Sequence, residues 1–193
     1  MSAPVPPRPI QMNVESPKGN GGRGLYLIAG GAVLLGLVLS IAGSALASWY
    51  TASYGDGFSF EIGPFVGKYC EYGYCVTQGI EGASGYGNYQ GLRASAIIAD
   101  LLGFIILGAI FANLQPIASK TTKLVLLGSS AAFAFFLLLA VILGAVFKSN
   151  LNDLVAGTYS FTFGAGWYVE IFAFIVALGG AAVSFLAVRA DGF

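Results

Sequence analysis

Charge is missing from long stretches of this chain, and that decides which solvent it can fold in. No Asp, Glu, Lys or Arg occurs between Arg23 and Asp56, or between Lys123 and Lys148. Leu25 to Trp49 is 25 residues, and the interval inside Lys123 and Lys148 is 24. A helix rises about 1.5 Å per residue, so either stretch can cross the roughly 30 Å hydrocarbon core of a bilayer. Two more apolar stretches follow the same rule, one ending before Pro116 and one before Arg189. The sequence predicts transmembrane helices over about 25–49, 92–114, 123–147 and 166–188. Loops 50–91 and 148–165 lie on one side, and a tail spans 1–23.

Composition agrees. Hydrophobic residues make up 56% of the chain and charged ones 9%, against about a quarter charged in soluble domains. Glycine is abundant, at 28 residues, which fits helix backbones approaching closely in lipid. The formal net charge is zero and the basic residues are scattered, so nothing favours a nucleic-acid partner. Histidine is absent, which removes the usual general base and the commonest metal ligand. No enzyme activity, cofactor, metal or small-molecule substrate is expected. The expected partners are membrane lipid and protein, as a homo-oligomer or within a larger membrane complex.

Ala45-Leu46-Ala47 has the small-x-small form that signal peptidase accepts, but the apolar stretch before it is long for a signal peptide. An uncleaved first helix is expected. Arg8, Lys18, Arg23, Lys120, Lys123 and Arg189 would then share one side, against Lys68, Arg93 and Lys148 on the other. The positive-inside rule puts the six, and both termini, in the cytoplasm. A plasma-membrane location is expected. The tail is dense in Pro and then Gly, so it cannot form a core alone.

The first helix carries small residues every fourth position: Ala32, Gly36, Ser40, Ser44 and Ser48. Such a ladder makes a shallow groove for another backbone, either within the bundle or between protomers. Two acids lie inside spans. Asp100 is seven residues after Arg93, about 10 Å deeper on nearly the same helix face. Glu170 lies just inside the outer end of the last helix. An acid in lipid is costly unless paired, protonated or wet. Either Arg93 neutralises one of them, neighbouring hydroxyls bond each, or the pair has a function of its own.

The outward loops alternate with period two. Phe58, Phe60 and Ile62 alternate with Ser59 and Glu61, and Tyr159, Phe161 and Phe163 alternate with Thr158, Ser160 and Thr162. That pattern predicts strands. Cys70 and Cys75 flank Glu71-Tyr72-Gly73-Tyr74, a four-residue loop that would set the cysteines opposite each other. A disulfide there suits an oxidising compartment, with two free thiols as the alternative. The next segment, 82–91, is rich in Gly, Ser, Tyr and Asn and reads as a flexible return. The fold class expected is an all-α membrane protein: a left-handed four-transmembrane-helix bundle with a small extracellular antiparallel β-sheet. An aromatic face on that sheet would either meet a partner or pack on the helix ends.

Several short motifs resemble the claudin and peripheral myelin protein superfamily. Trp49 at the end of the first span resembles the family's leading tryptophan. The run Gly63-Pro64-Phe65-Val66-Gly67-Lys68-Tyr69-Cys70, with Cys75, resembles its Gly-Leu-Trp…Cys…Cys element, Phe65 or Tyr69 standing in for the second tryptophan. Gly91-Leu92-Arg93-Ala94 resembles the arginine that opens the second helix, and Tyr159-Ser160-Phe161 with Gly166-Trp167-Tyr168 the strand entering the fourth. The resemblance is to a divergent member. It implies a structural or adhesive membrane protein making lateral or cell–cell contacts through its sheet. The alternative is an ion channel or auxiliary subunit, with Asp56, Glu61, Glu71 and Glu81 favouring cations.

Overall fold

The computed structural model describes residues 21–55, 57–79, 87–115, 118–155 and 160–191. Most of the tail, together with Asp56, segment 80–86 (which holds Glu81), and Thr158 and Tyr159, lies outside them. Four long apolar helices make up most of the described chain: α1 (Gly21–Ala45), α2 (Gly87–Leu114), α3 (Lys120–Leu154) and α4 (Ala165–Ala190). Each is long and apolar enough to span a bilayer. Five strands form one antiparallel sheet in the order β4-β3-β2-β1-β5: β1 (Tyr50–Tyr54), β2 (Phe58–Ile62), β3 (Val66–Glu71), β4 (Tyr74–Gly79) and β5 (Thr162–Phe163). This is a multi-pass membrane protein, a four-helix bundle with a small sheet at one end.

The bundle is arranged for lipid. Small and hydroxyl-bearing side chains fill the interior, among them Ala29, Ser40, Ala99, Ala173, Ala177 and Ser184. Large apolar ones such as Leu27, Leu35, Phe104, Phe111, Phe172 and Phe185 face outward. In water that distribution would expose far more apolar surface than a soluble monomer shows. In lipid it lets helices approach closely while the bulky residues meet acyl chains. α1 and α4 use it most. A β carbon on Gly36 would sit 3.5 Å from the Ala173 carbonyl oxygen, and one on Gly180 would lie 3.3 Å from Val33. The four-residue ladder of α1 is thus occupied by α4 of the same chain.

The helix ends differ from the sequence expectation for identifiable reasons. α1 stops at Ala45 rather than Trp49, because Trp49 turns back and its indole N–H donates to the Gly43 carbonyl at 2.6 Å. α2 begins at Gly87 rather than 92, since Tyr89 on its first turn is buried and donates to the carbonyls of Gly63 and Pro64. α3 continues to Leu154 rather than ending at 147. Lys148 marks where charge resumes, not where the helix ends. The extra turns let Asn152 accept from the Phe161 backbone N–H at 2.6 Å. α4 gains a residue at its start and two at its end, and Arg23 lies inside α1 rather than in the tail.

At the end away from the sheet, Ser119 caps α3, accepting from the Thr122 N–H while the Thr122 hydroxyl accepts from the Ser119 N–H. Lys123 pairs with Asp191 at 3.1 Å, which ties the start of α3 to the end of α4.

Candidate functional site

The sheet has two chemically distinct faces, set by its register. Tyr50 pairs with Ile62 and Phe163, Ala52 with Phe60, and Tyr54 with Phe58. Phe60 pairs onward with Tyr69, and Tyr69 with Val76. Directly opposed residues share a face, so one side of the sheet is mostly aromatic and aliphatic, with Glu71 and Gln78 among them. The other carries Thr51, Ser59, Glu61, Lys68 and the cysteines.

The aromatic face divides in two. Its β1 portion packs on the helix ends: Tyr50 is buried against Phe147, with ring centroids 5.6 Å apart, and its hydroxyl donates to the Gly144 carbonyl at 2.9 Å. Burial raises the Tyr50 phenol well above its ordinary range, so it stays a neutral donor. Trp49 and Leu92 join the same cluster. Farther out, Phe60 and Tyr69 are half-buried with rings 5.0 Å apart. Beyond them Tyr54, Tyr72, Tyr74 and Val76 are exposed, and Tyr74 reaches 85%. The β1 portion thus packs on the helix ends, and the outer portion is left exposed.

The hairpin is tighter than its spacing suggested. Glu71 pairs with Tyr74, so the turn is two residues, Tyr72-Gly73, rather than four. Their φ angles are +44° and +88°, the pattern of a type I′ turn, where positive φ at both central positions matches the strand twist. Tyr72 accepts this because its ring lies on Phe58 at 5.2 Å and its N–H donates to Gly57 at 2.8 Å. Cys70 and Cys75 are opposed and disulfide-bonded, with Cα atoms 4.1 Å apart, near the spacing of a non-hydrogen-bonded antiparallel pair.

The motif residues converge where the sheet meets the bundle. Trp49 is fully buried in the turn after α1, not on the helix. A β carbon on Gly63 would run into the Leu46 carbonyl, so only glycine lets the β2–β3 connection lie on the end of α1. Gly67, in β3, pairs with Ile62 and Gln78. The Phe65 ring lies 5.3 Å from the Arg93 guanidinium, and the Tyr89 ring 5.8 Å from it. Tyr69 donates to Glu71 at 3.0 Å, and Lys68 lies 3.8 Å from Glu61.

The two intramembrane acids also meet. The Ser40 hydroxyl donates to Asp100 at 2.8 Å and lies 3.4 Å from a Glu170 oxygen. The partner of Asp100 is thus a hydroxyl on α1, and Arg93 lies outward over Phe65. Glu170 is 0% exposed, and its second oxygen is buried without a hydrogen-bond partner. Gly43 makes room for it, since a β carbon there would lie 3.0 Å from that oxygen. Gly36 and Ser44 continue the same seam against α4, both buried. Ser40 as the bridge was not identifiable from sequence, where it is one serine in a small-residue ladder. Among the described residues, no group of three or more Asp, Glu, Cys or His could hold a metal.

No protein-family model matches this chain, and no curated protein matches it.

Proposed function

We propose that this protein is a structural, contact-forming tetraspan of the claudin-like type. It lies in the plasma membrane with both termini in the cytoplasm and its sheet outside. The Lys and Arg distribution supports that orientation, because Arg23, Lys120, Lys123 and Arg189 all belong to the end opposite the sheet. The disulfide supports an oxidising compartment for the sheet.

The observation that carries the contact role is β4. It is an edge strand, and all six of its residues are exposed. Among the described residues no strand pairs with its outer side. Soluble proteins shield such edges with Lys, Pro or bulges, and Tyr-Cys-Val-Thr-Gln-Gly has none of these. The exposed aromatic tip adjoins it. An unshielded strand edge beside an apolar patch is suited to pairing with another chain. The occupant proposed is β4 of a second copy. The strand carries no charge, so two copies can align antiparallel about a two-fold axis without like-charge repulsion.

The test uses the one lysine of this sheet. Lys68 is on β3, directly opposite Thr77 of β4. Two paired copies would separate their Lys68 residues by three strand spacings, about 14 Å. Native membranes are treated with a membrane-impermeant amine cross-linker and analysed by mass spectrometry. Lys68–Lys68 links between copies are expected. Links only to a different protein would instead make it an auxiliary subunit, and no Lys68 link at all would place the sheet away from any contact.

A further inference from the structure

Ser40, Asp100 and Glu170 bring a hydroxyl and two carboxyl groups from three helices to one point inside the bundle. Two carboxyl groups around one hydroxyl call for a proton beyond the one the serine carries. A serine hydroxyl has one proton and two lone pairs. At 2.8 Å, that proton is directed at Asp100. The 3.4 Å contact with Glu170 is then a hydrogen bond when Glu170 supplies the proton, and Glu170, fully buried with one oxygen unpartnered, is the acid for which ionisation costs more. With both acids ionised, one hydroxyl would serve two anions, and the buried second oxygen of Glu170 would have nothing.

Among the described residues no side-chain cation is placed to compensate. On α1 the groups facing Glu170 are Ser40 and Gly43, and the charged residue of that helix is Arg23 near the far end. On α2, Asp100 adds negative charge, and Arg93 is seven residues outward, over Phe65 and Tyr89. α3 has no charge between Lys123, which pairs with Asp191, and Lys148, which lies over the Phe163 ring. On α4 itself, Arg189 is at the opposite end. Two bare carboxylates in a lipid-embedded interior without a cation are strongly unfavourable. Ser44, one turn from Ser40, adds a second buried and unpartnered oxygen on the same seam.

The geometry points to a buried proton-binding site, in which Glu170 holds a proton, donates it to Ser40, and Ser40 donates to Asp100. The site ties α1, α2 and α4 together through one chain of hydrogen bonds. No covalent bond changes; loss of the proton would leave two anions competing for one hydroxyl.

Infrared spectroscopy of the full chain in lipid at neutral pH tests this. The acid C=O stretch is read in wild type, in Glu170→Gln and in Asp100→Asn. Gln reproduces the donor of a protonated Glu, so the variant should keep its fold. An acid band in wild type that disappears in Glu170→Gln and persists in Asp100→Asn supports the proposal. Wild-type protein labelled with carbon-13 glutamate gives the same assignment without a variant, by an isotope shift of the band. Absence of an acid band, or a shift with labelled aspartate alone, would overturn it. So would a band that appears only when choline replaces sodium, since sodium would then be the resident cation.

Discussion

The indole N–H of Trp49 donates to the Gly43 carbonyl across 2.6 Å, and that bond joins the bundle to the sheet. The last turn of a helix leaves carbonyls short of partners, and here the Gly43 carbonyl accepts from the Leu46 N–H at 3.2 Å and from a side chain six residues on. The same ring lies on Gly166 of α4, where a β carbon would overlap it. Helix end, strand start and the first turn of α4 are therefore fixed by one side chain. Trp49→Phe keeps most of the ring and removes the donor. It should cost about 1 kcal/mol in an unfolding titration from mixed micelles. Trp49→Ala should cost about 3–5 kcal/mol, the usual loss for a large buried aromatic.

Glycines of α1 divide by what they face. Gly43→Ala puts a methyl 3.0 Å from Glu170 and 3.3 Å from the Gly166 carbonyl. It should destabilise the α1–α4 seam by about 1–3 kcal/mol. Gly31 has nothing within 4 Å of its virtual β carbon. Gly31→Ala should leave stability unchanged or raise it by about 0.5–1 kcal/mol, since alanine suits a helix better. The same titration on both variants checks the contrast. Equal losses would mean that α4 does not pack on α1 through Gly43.

Most of the helical part was legible because hydrophobic length is a strong signal and the bilayer enforces it. Lys123 and Lys148 bracket the apolar part of α3, yet the helix continues to Leu154 because Asn152 finds Phe161, which is 9 residues away, just before β5. Tyr89 starts α2 inside a segment rich in Gly and Asn, because two distant carbonyls accept its hydroxyl. Alternation at Phe58, Phe60 and Ile62 identified a strand. It could not say that the face is covered at Tyr50 and open at Tyr74, since burial depends on the bundle beneath. The Asp100–Ser40–Glu170 contact joins residues 60 and 130 positions apart in sequence, and no local pattern encodes it.

The disulfide closes a very short loop, with the cysteines five positions apart. Its effect on global stability should fall below the roughly 3 kcal/mol expected for a 15-residue loop. The paired Cys70→Ser, Cys75→Ser variant should keep its four helices and lose hydrogen-exchange protection mainly in β3 and β4. Loss of protection in α1–α4 would contradict this local role.

Arg93 lies over Phe65, holding the β2–β3 connection against the start of α2. Phe65→Ala removes that ring and should cost about 2 kcal/mol or more, combining lost burial with lost cation–π attraction. Phe65→Trp keeps an aromatic face of higher affinity for cations and should retain wild-type stability within about 1 kcal/mol. Unfolding of the two variants side by side checks that an aromatic ring is what this position requires.

β4 is the proposed contact edge between copies, and Tyr74 is its most exposed aromatic. A photo-reactive phenylalanine analogue at Tyr74, in the full chain and in native membranes, tests it directly. The control is the same group at Phe104, which faces outward from α2. The predicted result is a light-dependent adduct at twice the chain mass from Tyr74 and not from Phe104. Illumination that leaves the Tyr74 protein at its monomer mass would contradict the account.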